Sequence, residues 1–427
     1  MNQSQETLLD NKFIILYQGV LMKHIGLLGG GQLGRMTIEA AKPLLGHISV
    51  LSPDYPSPAS TIADEVYIGE LYDYNAIMEL AEEADILSYE IEHVNTDALH
   101  DLEASGKHVI PPAYILDVIK DKQKQKEMLD RAGIPTALWK EVPWEASQGD
   151  FAQQLAALAD TIQALGGYPV VQKARRGGYD GRGVVVLSGP QDSPLTAHSF
   201  IEKKVAIEKE LAVLCAVDIF GNIGVYPCVE MVFDERANLC DSVLMPARIS
   251  NELQHEAVST ATKTVEALRT ELLAHINTIT LEKKHMYNPT FAGIFAVELF
   301  LVADGSILVN EIAPRPHNSG HVTIENCVTS QFMQYYRILS GYPLGSTEMV
   351  CPGMMINLLG EPDAYGAPRY VGIEEALCIP GVSLHLYGKT EVRPFRKMGH
   401  LTAIAPTVEE AIQRAKTARE KIRILAD

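Results

Sequence analysis

No two cysteines in this chain are spaced to share a metal or to form a redox couple. The six, Cys215, Cys228, Cys240, Cys327, Cys351 and Cys378, contain no CxxC pair, so they are expected to be reduced thiols in a cytoplasmic protein. No apolar run approaches the ~18 residues needed to cross a bilayer, which excludes a membrane partner of that kind. There is no internal repeat and no low-complexity tract. Positive charge is in deficit: 36 Lys and Arg stand against 54 Asp and Glu, a net charge of −18. That balance argues against nucleic acid or an anionic membrane as partner, while leaving room for a local basic patch that holds a small anion. The opening residues 1–21, MNQSQETLLDNKFIILYQGVL, lack the basic start and small-residue cleavage site of a signal peptide. They precede a second methionine, Met22, and are expected to be an extension outside the fold, with an upstream start as its source.

At about 150 residues per domain, 427 residues suggest two to three domains. The stretch KHIGLLGGGQLGRMTIEAAKPLLGHISVLSPD reads strand, glycine turn, helix, strand, a βαβ unit whose strands are parallel. Short strands in DEVYIG, ADILSYEIEHV and KHVIPP extend it into an α/β domain ending near Asp117. KDKQKQKEMLDRAG is a helix stopped by Gly133 and Pro135. Antiparallel strands follow, then a helix at about 252–282, a hairpin in FAGIFAVELFLVADGSILVNEIAP, a helix in SQFMQYYRILSG, and short strands from Cys351. TVEEAIQRAKTAREKIRIL closes the chain as an amphipathic helix. The fold class is therefore mixed, α/β followed by α+β.

Three motifs carry chemistry. Gly29, Gly31 and Gly34 satisfy GxGxxG between strand and helix, and Asp54 stands at the end of the next strand. That is the dinucleotide fingerprint, or a tight turn that holds no dinucleotide. Asp304-Gly305 is a strong two-residue hairpin signal, and a turn centred there sets Glu298 opposite Glu311 on one face. Facing carboxylates repel and call for a cation or a raised pKa. With no histidine or cysteine ligand implied, the cation of choice is Mg²⁺, shared with nucleotide phosphates; the alternative is a register slip that puts one glutamate in water. The third motif is KARRGGYDGRG, dense in glycine and basic residues. It is not a GxxxxGK[ST] loop. Lys173 lies in the apolar strand before it, where an unpaired ammonium is costly, so Lys173 and the loop are expected to hold a triphosphate.

With KARRGGYDGRG, the segments GGGQLGRM, YEIEHV, VNEIAPRPHNSGH and YGKTEVRPFRKMGH resemble the ATP-grasp family of 5-(carboxyamino)imidazole ribonucleotide synthetases from about Met22 to the C-terminus. The resemblance implies an ATP-grasp fold in three domains: an N-terminal α/β domain at 22–117, the ATP-grasp domain at 118–344 and a small C-terminal domain at 345–427. It implies a cytoplasmic homodimeric ligase of purine biosynthesis, acting on ATP, bicarbonate and aminoimidazole ribonucleotide with Mg²⁺, or Mn²⁺ as the alternative. For ATP it implies Lys122, Lys173, the loop Gly178, Tyr179, Asp180, Gly181, Arg182, Gly183 and Val184, the hinge Glu202, Lys203, Lys204 and Val205, then Glu210, Asn310 and Glu311. It further implies that Glu298 and Glu311 hold the metal, that Arg315, His317 and Asn318, with Lys173, serve catalysis, and that Gly31, Gln32, Leu33, Glu90, Glu92, Asn318, Ser319, Lys389, Arg396 and Lys397 face the ribonucleotide. Ala313, Phe233 and Phe395 depart from the family's usual pattern. Three rivals stay open: an ATP-grasp ligase using formate and a glycinamide ribonucleotide, an NAD-dependent oxidoreductase, and a nucleotide sensor without turnover.

Overall fold

Parallel strands carry the first third of the chain. The computed structural model describes residues 16–17, 20–21, 23–143, 151–177, 183–234, 239–279, 287 and 289–427. Strands Glu65–Ile68, His47–Ser52, His24–Leu28, Ile86–Tyr89 and His108–Val109 lie in that spatial order, all parallel. The chain turns back across the sheet between His24–Leu28 and Ile86–Tyr89. That is the switch point where open α/β sheets form their clefts. The helix Gln32–Ala41 leaves the first strand through Gly29, whose φ of 118° is open to glycine and strained for other residues. Of the first 21 residues, Leu16–Tyr17 and Val20–Leu21 pair only with each other among the described residues, and the rest of the expected extension lies outside them. The expected boundary at 117/118 falls inside the helix Ala113–Lys120.

Two antiparallel sheets follow. The smaller orders Val184–Leu187, Val170–Ala174, Ser199–Lys203 and Trp139–Glu141. The larger has nine described strands, one of which, Ile223–Val225, pairs with Ile207–Val217 off the main path. It begins at Ile307–Ala313, passes through Gly293–Val302, Ile207–Val217, Val229–Asp234 and Leu239–Met245, and continues into the C-terminal segment as Gly353–Leu359, Lys397–Ile404 and Val382–Leu386. Strand Ile207–Val217 is apolar along most of its length because both faces are covered. Leu211, Val213, Cys215 and Val217 pack with Ala257, Ala261, Val265 and Leu268 of the long helix Asn251–Thr278. Ala212, Leu214 and Ala216 pack with Tyr335, Ile338 and Leu339 of the helix Gln331–Ser340 and with Ile25 and Leu27 of the first sheet. The closing helix is Val408–Lys421, and after it Arg423–Ala426 pairs with Pro368–Val371, a strand that the sequence pattern hides.

The glutamate hairpin differs from expectation in a way that matters. Its turn has three residues, not two: the Val302 N–H donates to Ser306 O at 2.9 Å, and Gly305 sits at φ 87°. Near the turn Leu299 therefore pairs with Val309 and Leu301 with Ile307. A β-bulge at Asn310 then shifts the register, so that Glu298 does stand opposite Glu311. In a regular strand, neighbours point to opposite faces. The extra residue lets Asn310 and Glu311 both reach the same cleft.

Candidate functional site

The cleft is built where a polar helix docks on this hairpin. The helix Lys122–Arg131 looks solvated in sequence, yet Gln123, Gln125 and Lys126 are buried. Gln125 explains the docking: its Oε1 accepts from the Ile312 N–H at 2.9 Å, and its Nε2 donates to Ile119 O at 2.8 Å. Asp121 caps the helix and takes Arg175 at 2.7 Å. The docking brings Lys122 onto the Glu311 carboxylate. Across the cleft, the Lys173 ammonium donates to Asn310 Oδ1 at 2.9 Å and pairs with Glu202 at 2.8 Å. Asn310 Nδ2 donates to Glu298 Oε2 at 3.3 Å. Lys173, Asn310 and Glu298 thus form one hydrogen-bonded chain, and the Lys122–Glu311 pair stands beside it across the hairpin.

Its electrostatics are uneven. Burial and the facing Glu311 push Glu298 up to about 8. Burial would raise Glu311 too, but the Lys122 ammonium outweighs it and holds this carboxyl at about 2. The His317 imidazole lies 3.4 Å from Glu298. Burial, with Arg315 and Lys397 nearby, lowers it to about 3, so it is neutral at pH 7. Its Nδ1 accepts from the Ser319 N–H at 3.3 Å, which leaves the proton on Nε2, facing Glu298. The donors ringed here are hard oxygens, and two carboxylates face each other across the hairpin. That combination fits Mg²⁺.

The glycine turn resolves one open alternative. Both oxygens of Glu90 accept backbone N–H groups at the start of the helix, from Gly31 and Gly34. A Cβ at Gly29 would collide with Glu90 Cγ, and one at Gly31 would lie 2.7 Å from Glu90 Oε1. The glycines make room for a carboxylate of the chain itself, in the cradle where a dinucleotide would set its pyrophosphate. Burial raises the Glu90 pKa, and the two N–H bonds and the charges of Arg315 and Lys389 oppose that rise. The NAD-dependent alternative therefore lacks its phosphate site.

Arg315 sits between the units: its Nε pairs with Glu92 Oε1 at 2.9 Å. Asn318 exchanges two amide bonds with Asn357, at 3.0 and 2.8 Å. Ser319 is buried beside His317. In the C-terminal segment, Lys389 Nζ donates to Lys397 O at 2.7 Å and Arg396 Nη1 to Glu391 O at 2.7 Å. Phe395 takes a φ of 59° there, held because its N–H donates to Gly360 O at 3.0 Å. Gln32 and Leu33 open the glycine helix. Glu210 lies on the strand beside Glu298, its pKa raised by burial.

Glu202 is clasped between Lys173 and Lys126 of its own chain. The Lys203 N–H is taken by Leu138 O at 2.8 Å, the Lys203 and Lys204 side chains are exposed, and Val205 is half-buried. Gly178, Tyr179, Asp180, Gly181 and Arg182 lie outside the described residues; Gly183 follows at φ 76°, and Val184 pairs with Lys173. Lys126 escaped the sequence reading. The signal was its place one helical turn after Lys122, masked by a run of lysines that suggested solvent.

Family descriptions match along the chain in order. They are the ribonucleotide synthetase preATP-grasp domain at 22–120, the ATP-grasp domain at 127–274 and 274–332, and the phosphoribosylaminoimidazole carboxylase C-terminal domain at 353–414. The N5-carboxyaminoimidazole ribonucleotide synthase of Bacillus subtilis is 33% identical over 93% of this chain and 95% of its own. The crystal structure of N5-carboxyaminoimidazole ribonucleotide synthetase from Thermotoga maritima superposes with a TM-score of 0.80 at 40% identity, over 95% of this chain and 100% of that one. The Aspergillus clavatus synthase in complex with ADP and 5-aminoimidazole ribonucleotide gives a TM-score of 0.79 at 33% identity, over 93% and 98%.

Proposed function

Because this chain belongs to the N5-carboxyaminoimidazole ribonucleotide synthase family of ATP-grasp enzymes, we propose that it carboxylates the amine of 5-aminoimidazole ribonucleotide, using ATP and bicarbonate. The products are 5-carboxyaminoimidazole ribonucleotide, ADP and phosphate, a step of purine biosynthesis. The observation that carries this is the Glu298–Glu311 pair flanked by Lys122 and Lys173, in a chain of which 93% aligns with such a synthase.

Bicarbonate is a poor electrophile because its oxygens leave badly. A bicarbonate oxygen attacks the γ-phosphorus of ATP, ADP departs, and carboxyphosphate forms. Lys122 and Lys173 balance phosphate charge, and Asn310, locked between Lys173 and Glu298, keeps the hairpin and the lysine strand in register. Glu298 and Glu311 would hold Mg²⁺, or Mn²⁺ in its place, which when bound would neutralise phosphate charge. The substrate amine then attacks the carboxyl carbon, and phosphate leaves. Arg315, steadied by Glu92, offers its remaining donors to the oxyanion of that step. Lys389, Arg396 and Lys397 take the ribonucleotide phosphate; the charge of Lys389 acting on Glu90 supports their facing the glycine helix. His317, neutral at pH 7, sets its Nε2 beside the Glu298 carboxyl, at 3.4 Å.

We keep three units, a cytoplasmic location and a homodimer in this proposal. The six free thiols, four of them buried, suit a reducing compartment, and no described helix is long and apolar enough to cross a membrane. Light scattering of the purified chain tests the dimer. The function is tested by ADP release with both aminoimidazole ribonucleotide and bicarbonate present and with each left out. Release that ignores the ribonucleotide, or a preference for formate and a glycinamide ribonucleotide, would overturn the assignment.

A further inference from the structure

At the opposite end of the first sheet from the glycine turn, three neighbouring parallel strands each begin with a metal-ligating side chain. His24 opens His24–Leu28, His47 opens His47–Ser52 and Glu65 opens Glu65–Ile68. The register sets His24 beside His47 and Ser49 beside Glu65. Residues 47 and 49 of one strand share a face, so the three side chains gather on one side of the sheet. The imidazoles stack with ring centroids 4.1 Å apart and planes 11° apart. One ligand atom from each of His24, His47 and Glu65 lies within 4.8 Å of the others. The Ser49 hydroxyl links the set, 2.6 Å from His24 Nε2 and donating to Glu65 Oε2 at 3.3 Å.

We infer that His24, His47 and Glu65 form a binding site for a divalent transition metal, Zn²⁺ foremost, separate from the carboxylation site. Two imidazole nitrogens and one carboxylate oxygen are a donor set that Zn²⁺ accepts in four-coordinate sites, with a fourth position left for water. The histidines are half-buried and Glu65 is exposed, so the fourth position opens to solvent. Mg²⁺ prefers all-oxygen donors and is disfavoured by the two nitrogens. Asp85 stands at the same strand start, its carboxylate accepting the His24 backbone N–H at 2.8 Å. The strand His24–Leu28 separates this cluster from the glycine turn by about 13 Å, at ~3.3 Å per residue. A bound ion would therefore pin three strands together without touching substrate.

The test titrates the full chain with Zn²⁺ by calorimetry, beside a Glu298→Gln/Glu311→Gln variant that removes the other carboxylate pair. One Zn²⁺ per chain should bind to both. His47→Gln and Glu65→Gln should each weaken that binding by roughly tenfold or more, while turnover at saturating substrates stays at the wild-type level. Zn²⁺ should also raise the melting temperature of the wild type and do so far less for these variants. Co²⁺ should give the visible absorption of a nitrogen- and oxygen-ligated four-coordinate ion. Should His47→Gln fail to fold, the exposed Glu65→Gln variant decides alone. A chain whose Zn²⁺ uptake vanishes with Glu298 and Glu311, or persists unchanged without His47 or Glu65, carries a stacked histidine pair and no metal site. The inference does not rest on the carboxylation activity, and failure of either leaves the other standing.

Discussion

Replacing Glu202 by glutamine should destabilise the ATP side of the cleft more than removing either lysine that it holds. Its side chain is 4% exposed, against 2% for Lys126 and 11% for Lys173. The triad carries one negative and two positive charges. Without the carboxylate charge, two buried ammonium groups face each other, with only neutral acceptors, Thr136, Asn310 and the new amide oxygen, beside them. Breaking a buried ion pair from one side costs about 3–5 kcal/mol. Lys126→Met leaves Glu202 paired with Lys173 at 2.8 Å, a balanced pair, so the loss should be nearer ~1–3 kcal/mol. Joining both changes leaves one ammonium and should recover part of the Glu202→Gln loss, by a coupling of ~0.5–3 kcal/mol. Urea unfolding without nucleotide measures all four corners of the cycle, and Trp139, paired with Glu202 across the small sheet, gives a local fluorescence signal. Additive losses, or a Glu202→Gln change within the ~0.5 kcal/mol of a surface substitution, would refute the charge balance drawn here.

Stability should fall as pH rises from 6.5 to 8. Glu298 lies up from its ordinary 4.5, at about 8, and His317 down from 6.5, at about 3. From 4.5 to 6.5 the folded chain keeps a proton on Glu298 and lacks one on His317, and the two effects oppose. Above 6.5 the folded chain still holds protons that the unfolded one has lost, on Glu298 and, up to about 7, on Glu103, so the folded state binds more protons than the unfolded one. Glu298→Gln should flatten that limb, and a denaturation series that keeps its slope would contradict the assignment. Binding of Mg²⁺ with ATP at pH 7 should release a proton that this variant does not release, read by calorimetry in buffers of different ionisation enthalpy. Lys397→Ala and Arg396→Ala should each weaken ribonucleotide binding by about 1.5–3 kcal/mol and spare ATP; equal losses for both ligands would put the basic turn beside ATP. Arg315→Lys keeps charge but cannot both hold Glu92 and present a planar fork, so carboxylated product per ADP should drop while ADP release persists. Parallel loss of both would assign Arg315 to phosphoryl transfer.

Periodicity and turn chemistry made the first sheet, the long helix and the glutamate hairpin readable from residues alone. The facing of Glu298 and Glu311 was reached from a two-residue turn, and the molecule arrives at it through a three-residue turn corrected by a bulge. Two offsets of one residue cancel, and nothing in the local sequence announces either. The helix of Lys122 hid its role for another reason: Gln123, Gln125 and Lys126 are polar by composition but buried, each answered by a partner distant in sequence or one turn away. Glu90 also depends on a long-range meeting. GxGxxG describes a turn with room in it, and only the neighbouring strand says what fills the room.

The nine-stranded sheet has a consequence for how this polypeptide can be divided. Leu239–Met245 pairs with Gly353–Leu359 along four residue pairs, from Ser242–Ile356 to Met245–Gly353. A fragment ending at residue 344 would keep its nucleotide-side residues but leave that strand with bare amides and carbonyls along one edge. Such an edge invites pairing with another chain. A C-terminal fragment would meet the same fate from the other side, with Met354 and Ile356 stripped of Leu244. The two pieces should therefore be insoluble when made apart and soluble when made together, so gene splitting or domain exchange in this family has to respect the sheet rather than the linker.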